Sequence, residues 1–140
     1  MFHTILVTTD FSANSAVAVR PAIAIARQFS GRIVLVHALE AASPDPAVVA
    51  VDLAALAAIT KEQLQEFGTR EIGDQAPWTA EVVFGPPYVA ITDAATRHRA
   101  DLIVVATHGR TGLLHLLLGS VAARVARTAI CPVLTVRVPG

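Results

Sequence analysis

The chain has 140 residues, of which 54% are hydrophobic and 16% charged. That suffices for one domain, residues 1–140, with a core of its own, and it excludes a disordered chain. Eleven basic residues cancel eleven acidic ones, so neither nucleic acid nor an anionic membrane has an electrostatic hold on it.

Residues 3–8 are apolar, β-branched and without alternation, the pattern of a strand covered on both faces. Asp10, Phe11 and Ser12 follow, and Ser12 suits the N-cap of a helix over 13–29. Ala16, Val19, Ile23 and Ala26 mark its buried stripe. Pro21 is expected to kink it by removing the bond to Val17, and Ser30 and Gly31 to end it, with the glycine at the usual C-terminal position. A second buried strand spans 32–39. After a proline-containing break at 42–46, an alanine-rich helix runs to Phe67 with a stripe of Val49, Leu53, Leu56, Leu64 and Phe67. Residues 68–77 read as loop and 78–84 as the third strand. Gly85, Pro86 and Pro87 turn into a third helix that ends in Arg97, His98 and Arg99. The fourth strand covers 102–106, a glycine-containing loop reaches Gly119, the last helix covers 120–128, and the fifth strand runs from Pro132 to Val138. Strands alternating with helices make a doubly wound α/β fold with a parallel sheet.

Ten of the eleven bases are arginine and Lys61 is the single lysine. A Walker A phosphate loop, which needs a lysine directly after its glycines, is therefore excluded. Cys131 is alone, so there is no intrachain disulfide and a reducing compartment is the simple expectation. No apolar run reaches the roughly 20 residues of a membrane span, and no leader pattern precedes the first strand. The expectation is a soluble, cytoplasmic protein.

Ligands of such folds sit beyond the carboxyl ends of the strands, where strand order reverses. Thr8, Thr9 and Asp10 follow the first strand, His37 and Ala38 end the second, and Ala106, Thr107, His108 and Gly109 follow the fourth. Asp10 suits either a ligand's hydroxyls or the amides at the start of the first helix. The stretch Thr107, His108, Gly109, Arg110, Thr111, Gly112 is small, polar and rich in backbone. With Gly119 and Ser120 opening a helix after nine intervening residues from Gly109, it suits a phosphate, or else makes an ordinary turn. His108 is assigned a structural or binding role, His37 reads as a satisfied core histidine, and Cys131 as a buried structural thiol. No Gly-x-Ser-x-Gly elbow or His-Glu-x-x-His motif is present.

The segments ILVTTDFSANS, IVLVHALE, GPPYVAITDAATRHRADLIVVATHGRTG and LLGSVAARVARTAICPVLTVR, in that order, resemble the universal stress protein family over nearly the whole chain. Its nucleotide-binding members carry Gly-x-x-Gly, nine residues, then Gly with Ser or Thr. Gly109, nine residues, then Gly119 and Ser120 are similar to that motif from its second glycine on. The resemblance implies strand order 3-2-1-4-5 and an ATP site. In that site Thr8, Thr9 and Asp10 lie near adenosine, and Ala38 offers backbone to adenine. Ala106 through Gly112 (Ala106, Thr107, His108, Gly109, Arg110, Thr111, Gly112) wrap ribose and phosphates, while Gly119, Ser120 and Val121 close over the phosphates. It also implies Mg²⁺ or Mn²⁺ carried on the phosphates, and a homodimer paired through the fifth strand. Ala106 stands where the motif's first glycine usually sits, and Thr8 where a proline is common. Three functions follow as expectations: a nucleotide-dependent stress or signalling module, a nucleotide-free member acting through protein contacts, and a slow ATPase or an enzyme that phosphorylates itself on Ser120.

Overall fold

The structure, a computed structural model, describes residues 1–40, 46–107 and 119–137, the side chains of 46–52 excepted. Nine elements run in the order β1 (Thr4–Thr8), α1 (Ala13–Phe29), β2 (Arg32–Leu39), α2 (Pro46–Glu71), β3 (Trp78–Phe84), α3 (Pro87–Arg97), β4 (Leu102–Ala106), α4 (Ser120–Thr128) and β5 (Val133–Val136). The strands form one parallel sheet in the order β3-β2-β1-β4-β5. β1 is central, with Ile5 opposite Ile33 of β2 on one side and Leu102 of β4 on the other.

The unbroken apolar runs have the expected cause. Side chains alternate between faces with period two, and both faces are covered. Ile5, Val7, Ile33, Leu35, Leu102 and Val104 pack beneath α1 and α2, against Val19, Ile23, Leu64 and Phe67. Leu6, Val34, Val36 and Ile103 pack on the opposite face against Ala90, Ile91, Ala94 and Val125 of α3 and α4. The sheet's foot is fixed by Asp101, whose Oδ2 accepts from the amides of His3 (2.9 Å) and Thr4 (3.0 Å).

Four details differ from the sequence expectation. Ser30, not Gly31, takes the left-handed conformation that ends α1, with φ 53°. Gly31 is a glycine because a Cβ there would lie 2.6 Å from the Phe2 carbonyl oxygen and 2.9 Å from that of His3. α2 continues through Gly68 to Glu71; residue 68 is a glycine because a Cβ there would lie 2.3 Å from Cζ3 of the Trp78 ring, not because the helix ends. Of the α2 stripe, Leu64 and Phe67 are buried, Leu53 is half-buried and Leu56 is exposed; the Val49 side chain lies outside the described residues. The cause is length: the 26 residues of α2 make about 39 Å of helix, whereas the eight of β2 make only about 26 Å of strand, so the first half of the helix outruns the sheet. β5 is shorter than read, Val133–Val136, since Pro132 has no N–H for a ladder and Val138 lies outside the described residues.

Candidate functional site

Strand order reverses between β1 and β4, so the chain segments leaving these two strands flank the switch point. At the end of β1, Thr8 and Thr9 are buried. The Thr9 amide still donates to the Val36 carbonyl at 2.9 Å, and then the chain turns sharply. Phe11 carries a φ of 67°, a left-handed conformation that a bulky residue adopts only under constraint.

The constraints are visible. The Phe11 amide donates to Thr9 Oγ1 at 2.9 Å and the Ser12 amide to Asp10 Oδ1 at 3.0 Å, the latter an Asx-type turn. Ser15 Oγ donates to the Ser12 carbonyl at 2.9 Å. Its one proton is therefore used, and the 2.7 Å contact between Thr9 Oγ1 and Ser15 Oγ has Thr9 as donor. Ser12 Oγ accepts from the Ser15 amide at 3.1 Å and caps α1. The Phe11 ring lies 4.5 Å from the His37 ring and 6.1 Å from that of Phe67. His37 Nδ1 is 2.8 Å from the Thr9 carbonyl. A carbonyl only accepts, so Nδ1 holds the proton and Nε2 is the acceptor of the neutral ring. His37 is thus satisfied, as expected, but half-buried at the strand end rather than within the core. Asp10 holds the turn through Oδ1.

On β2, Val36 offers its carbonyl toward β1 and Leu39 offers its own toward β3, to the Gly85 amide at 3.1 Å. In a parallel strand both backbone groups of a residue point the same way, alternating along the chain. The amide and carbonyl of Ala38 therefore face the β1 side, above the point where β1 has turned away. The next acceptor there, the Thr9 carbonyl, takes the His37 ring N–H.

On β4, Ala106 is buried and its methyl packs in the core cluster beneath α1. Ala106 is absent from the residues with positive φ. The methyl that replaces the motif's first glycine thus goes into the core. Thr107 donates its amide to the Val136 carbonyl at 2.9 Å, and its carbonyl accepts from the Gly119 amide at 2.5 Å. That bond seats the start of α4 directly beside the end of β4. Gly119 is the N-cap, with φ −67° and no side-chain cap bond, so the first amides of α4 have no side-chain acceptor at the cap. Ser120 is exposed; Val121 packs its side chain on the core, leaving its amide for the helix end. Thr107 is 4% exposed, and its Oγ1 has no hydrogen-bond partner among the described residues.

The structure therefore brings Thr107, Gly119 and Ser120 together, and sets Thr8, Thr9 and Asp10 on the neighbouring strand. His108, Gly109, Arg110, Thr111 and Gly112 lie outside the described residues. Sequence reasoning passed over Phe11 and Ser15, which hold the turn; the spacing of Thr9, Ser12 and Ser15 by three was the available signal. Cys131 is half-buried, and burial pushes its thiol above the ordinary value. Among the described residues no group of three or more His, Cys, Asp or Glu side chains could hold a metal. No helix among them is long and apolar enough to cross a membrane.

Comparison with known proteins places this geometry. The family model for the universal stress protein family matches residues 1–137. Universal stress protein MJ0531 of Methanocaldococcus jannaschii is 35% identical, with 99% of this chain and 84% of that protein covered. Among solved structures, universal stress protein UspA from Lactobacillus plantarum superposes with a TM-score of 0.82 at 25% identity, covering 97% of this chain and 98% of that one. A universal stress protein solved in complex with cAMP superposes with a TM-score of 0.64 at 28% identity, over 96% of each chain.

Proposed function

This chain belongs to the universal stress protein family, and from that premise we propose that it is an ATP-binding module whose nucleotide occupancy signals stress through a dimer or partner surface. The observation that carries the reading is the buried, unpartnered Thr107 hydroxyl beside the uncapped first amides of α4. A buried hydroxyl without a partner is costly, and a helix N-terminus favours an anion. Together they fit a phosphate. The similar protein solved with cAMP supports an adenine nucleotide as the ligand class.

In this reading Ala38 meets adenine with its amide and carbonyl, and Thr8, Thr9 and Asp10 border the adenosine. Ala106, Thr107, His108, Gly109, Arg110, Thr111 and Gly112 follow the ribose and phosphates, with Gly119, Ser120 and Val121 over the phosphates. Mg²⁺ or Mn²⁺ rides on the phosphate oxygens. The protein binds phosphate by backbone, hydroxyl and arginine, and Lys61 takes no part. Two copies pair through β5, a short edge strand whose half-buried Val133, Leu134 and Val136 gain cover from a partner.

The test is direct. Protein purified without added nucleotide, then denatured, should release an adenine nucleotide on chromatography, and ATP should raise the melting temperature of the emptied protein. Gly109→Val should abolish that rise while leaving the unliganded melt intact. No released nucleotide together with no ATP-induced shift overturns the reading.

A further inference from the structure

A second concavity lies beside the turn that follows β1, between the first turns of α1 and the last turns of α2. It encloses about 480 Å³, within the range of roughly 300–1,000 Å³ typical of small-molecule sites. Phe11 and Phe67 form its aromatic wall, with their rings 6.1 Å apart. Ala16 and Val17 supply an aliphatic side, and Arg20, Arg70 and Glu71 line it as well. The α1 positions involved recur every three or four residues, so one helix face builds that side.

Its charge is unbalanced. Among the described residues Arg20 enters no ion pair. Arg70 pairs only with its chain neighbour Glu71, through Nε at 3.3 Å, and its side chain is 64% exposed. The Arg70 guanidinium also lies 5.4 Å from the centre of the Phe67 ring. The guanidinium thus lies over the aromatic wall, and an exposed pair between neighbours holds it weakly. A groove with aromatic and aliphatic walls, lined by two arginines against one glutamate, suits a ligand with an apolar body and an anionic head. Guanidinium forks match a planar carboxylate. The α1 side spans only from Ala13 to Arg20, about 10 Å of helix, which suits a small molecule rather than a docked helix.

We propose that this groove between α1 and α2 is a second ligand site, which takes a small aromatic or aliphatic monocarboxylate with its body on Phe11 and Phe67 and its carboxylate on Arg20 and Arg70. It shares Phe11 and Ser12 with the strand-end turn, where the Phe11 ring stacks on His37. The site does not depend on nucleotide binding.

The probe is 4-phenylbutyrate, titrated into ¹³C-labelled protein and followed by NMR of the Ala16 and Val17 methyls and the Phe11 and Phe67 rings. Saturable shifts at these groups are expected, at similar affinity with and without ATP. Arg20→Ala and Arg70→Ala should each weaken binding roughly tenfold, as for loss of a charged hydrogen bond. 4-Phenylbutanol, which lacks the charge, should bind at least as much more weakly. Val17→Trp should block the groove; a circular dichroism melt checks its fold, and the arginine variants decide the matter if it is unfolded. The proposal is overturned by no saturable shift at these groups, by shifts centred on Thr9, Ser120 and Val121 with competition by ATP, or by unchanged affinity in both arginine variants. Because the titration is read without nucleotide, failure of ATP to bind leaves this result standing.

Discussion

Replacing Thr107 by valine separates a hydroxyl kept for a ligand from one that merely fills space. The two side chains have nearly the same shape, and Thr107 is 4% exposed with Oγ1 unpartnered. An unpartnered buried polar group costs about 1–3 kcal/mol. Thr107→Val removes that cost, so the unliganded protein should become more stable. For a chain of 140 residues the unfolding entropy makes each kcal/mol worth roughly 3 °C in Tm. A rise of a few degrees is therefore expected. ATP binding should change the opposite way. The variant loses a hydrogen bond to a charged phosphate, about 1.5–3 kcal/mol, which is roughly tenfold or more in Kd. The assay is a thermal melt of nucleotide-free protein with calorimetric titration of ATP, on wild type and variant in parallel. A lower melting temperature without ligand would show that the hydroxyl already has a partner. Unchanged ATP affinity would show that it faces no phosphate. Either result refutes the reasoning.

Three further outcomes follow from the fold. Gly31→Ala should destabilise the protein by about 1–3 kcal/mol, the usual range for overpacking, because the new methyl meets the Phe2 and His3 carbonyls, which are backbone and cannot rotate away; chemical denaturation reads this as a lower midpoint. Ser12→Ala should lose about 1 kcal/mol of capping, and hydrogen exchange should quicken at the Ser15 amide before the rest of α1. Burial raises the Glu81 carboxyl, but hydrogen bonds from His98 (2.5 Å) and Arg97 (2.7 Å), with their charges, outweigh it and hold the group below its ordinary 4.5. The folded value is the lower one, so this stabilisation is complete above the unfolded value and disappears as pH falls through the folded one. The difference in Tm between wild type and Glu81→Gln should therefore be present at neutral pH and close in acid.

Much of this fold is legible in the residues because each buried strand is bracketed by its own signals. Ser12 marks the start of α1 and Pro87 that of α3, and the bounds of α1, β2 and α4 follow from pattern alone. What pattern could not show is contact between distant segments. Gly68 looks like a helix end until the Trp78 ring is seen to occupy its missing side chain. Gly31 looks like a turn glycine until the β1 carbonyls are seen to press on it. The site divides the same way. Thr9, Asp10 and Thr107 were found by their place after strands, a rule of topology. The left-handed Phe11, stacked on a histidine 26 positions later, has no local signature. Nor does the methyl of Ala106, whose direction into the core comes only from its place on the sheet.

The central position of β1 also has a consequence for how the protein is made. β1 is synthesised first, and β2 soon gives it one neighbour, but its other neighbour, Leu102 opposite Ile5, comes 97 residues later. At roughly 5–20 residues per second, the ribosome leaves that side of β1 uncovered for several seconds. During that interval Ile5, Leu6 and Val7 form a sheet edge, exposed to any other extended chain. The candidate strand-end site is built from the ends of β1 and β4, so a nascent fragment that stops before β4 lacks one half of it. A ligand that bridges those halves cannot rescue such a chain.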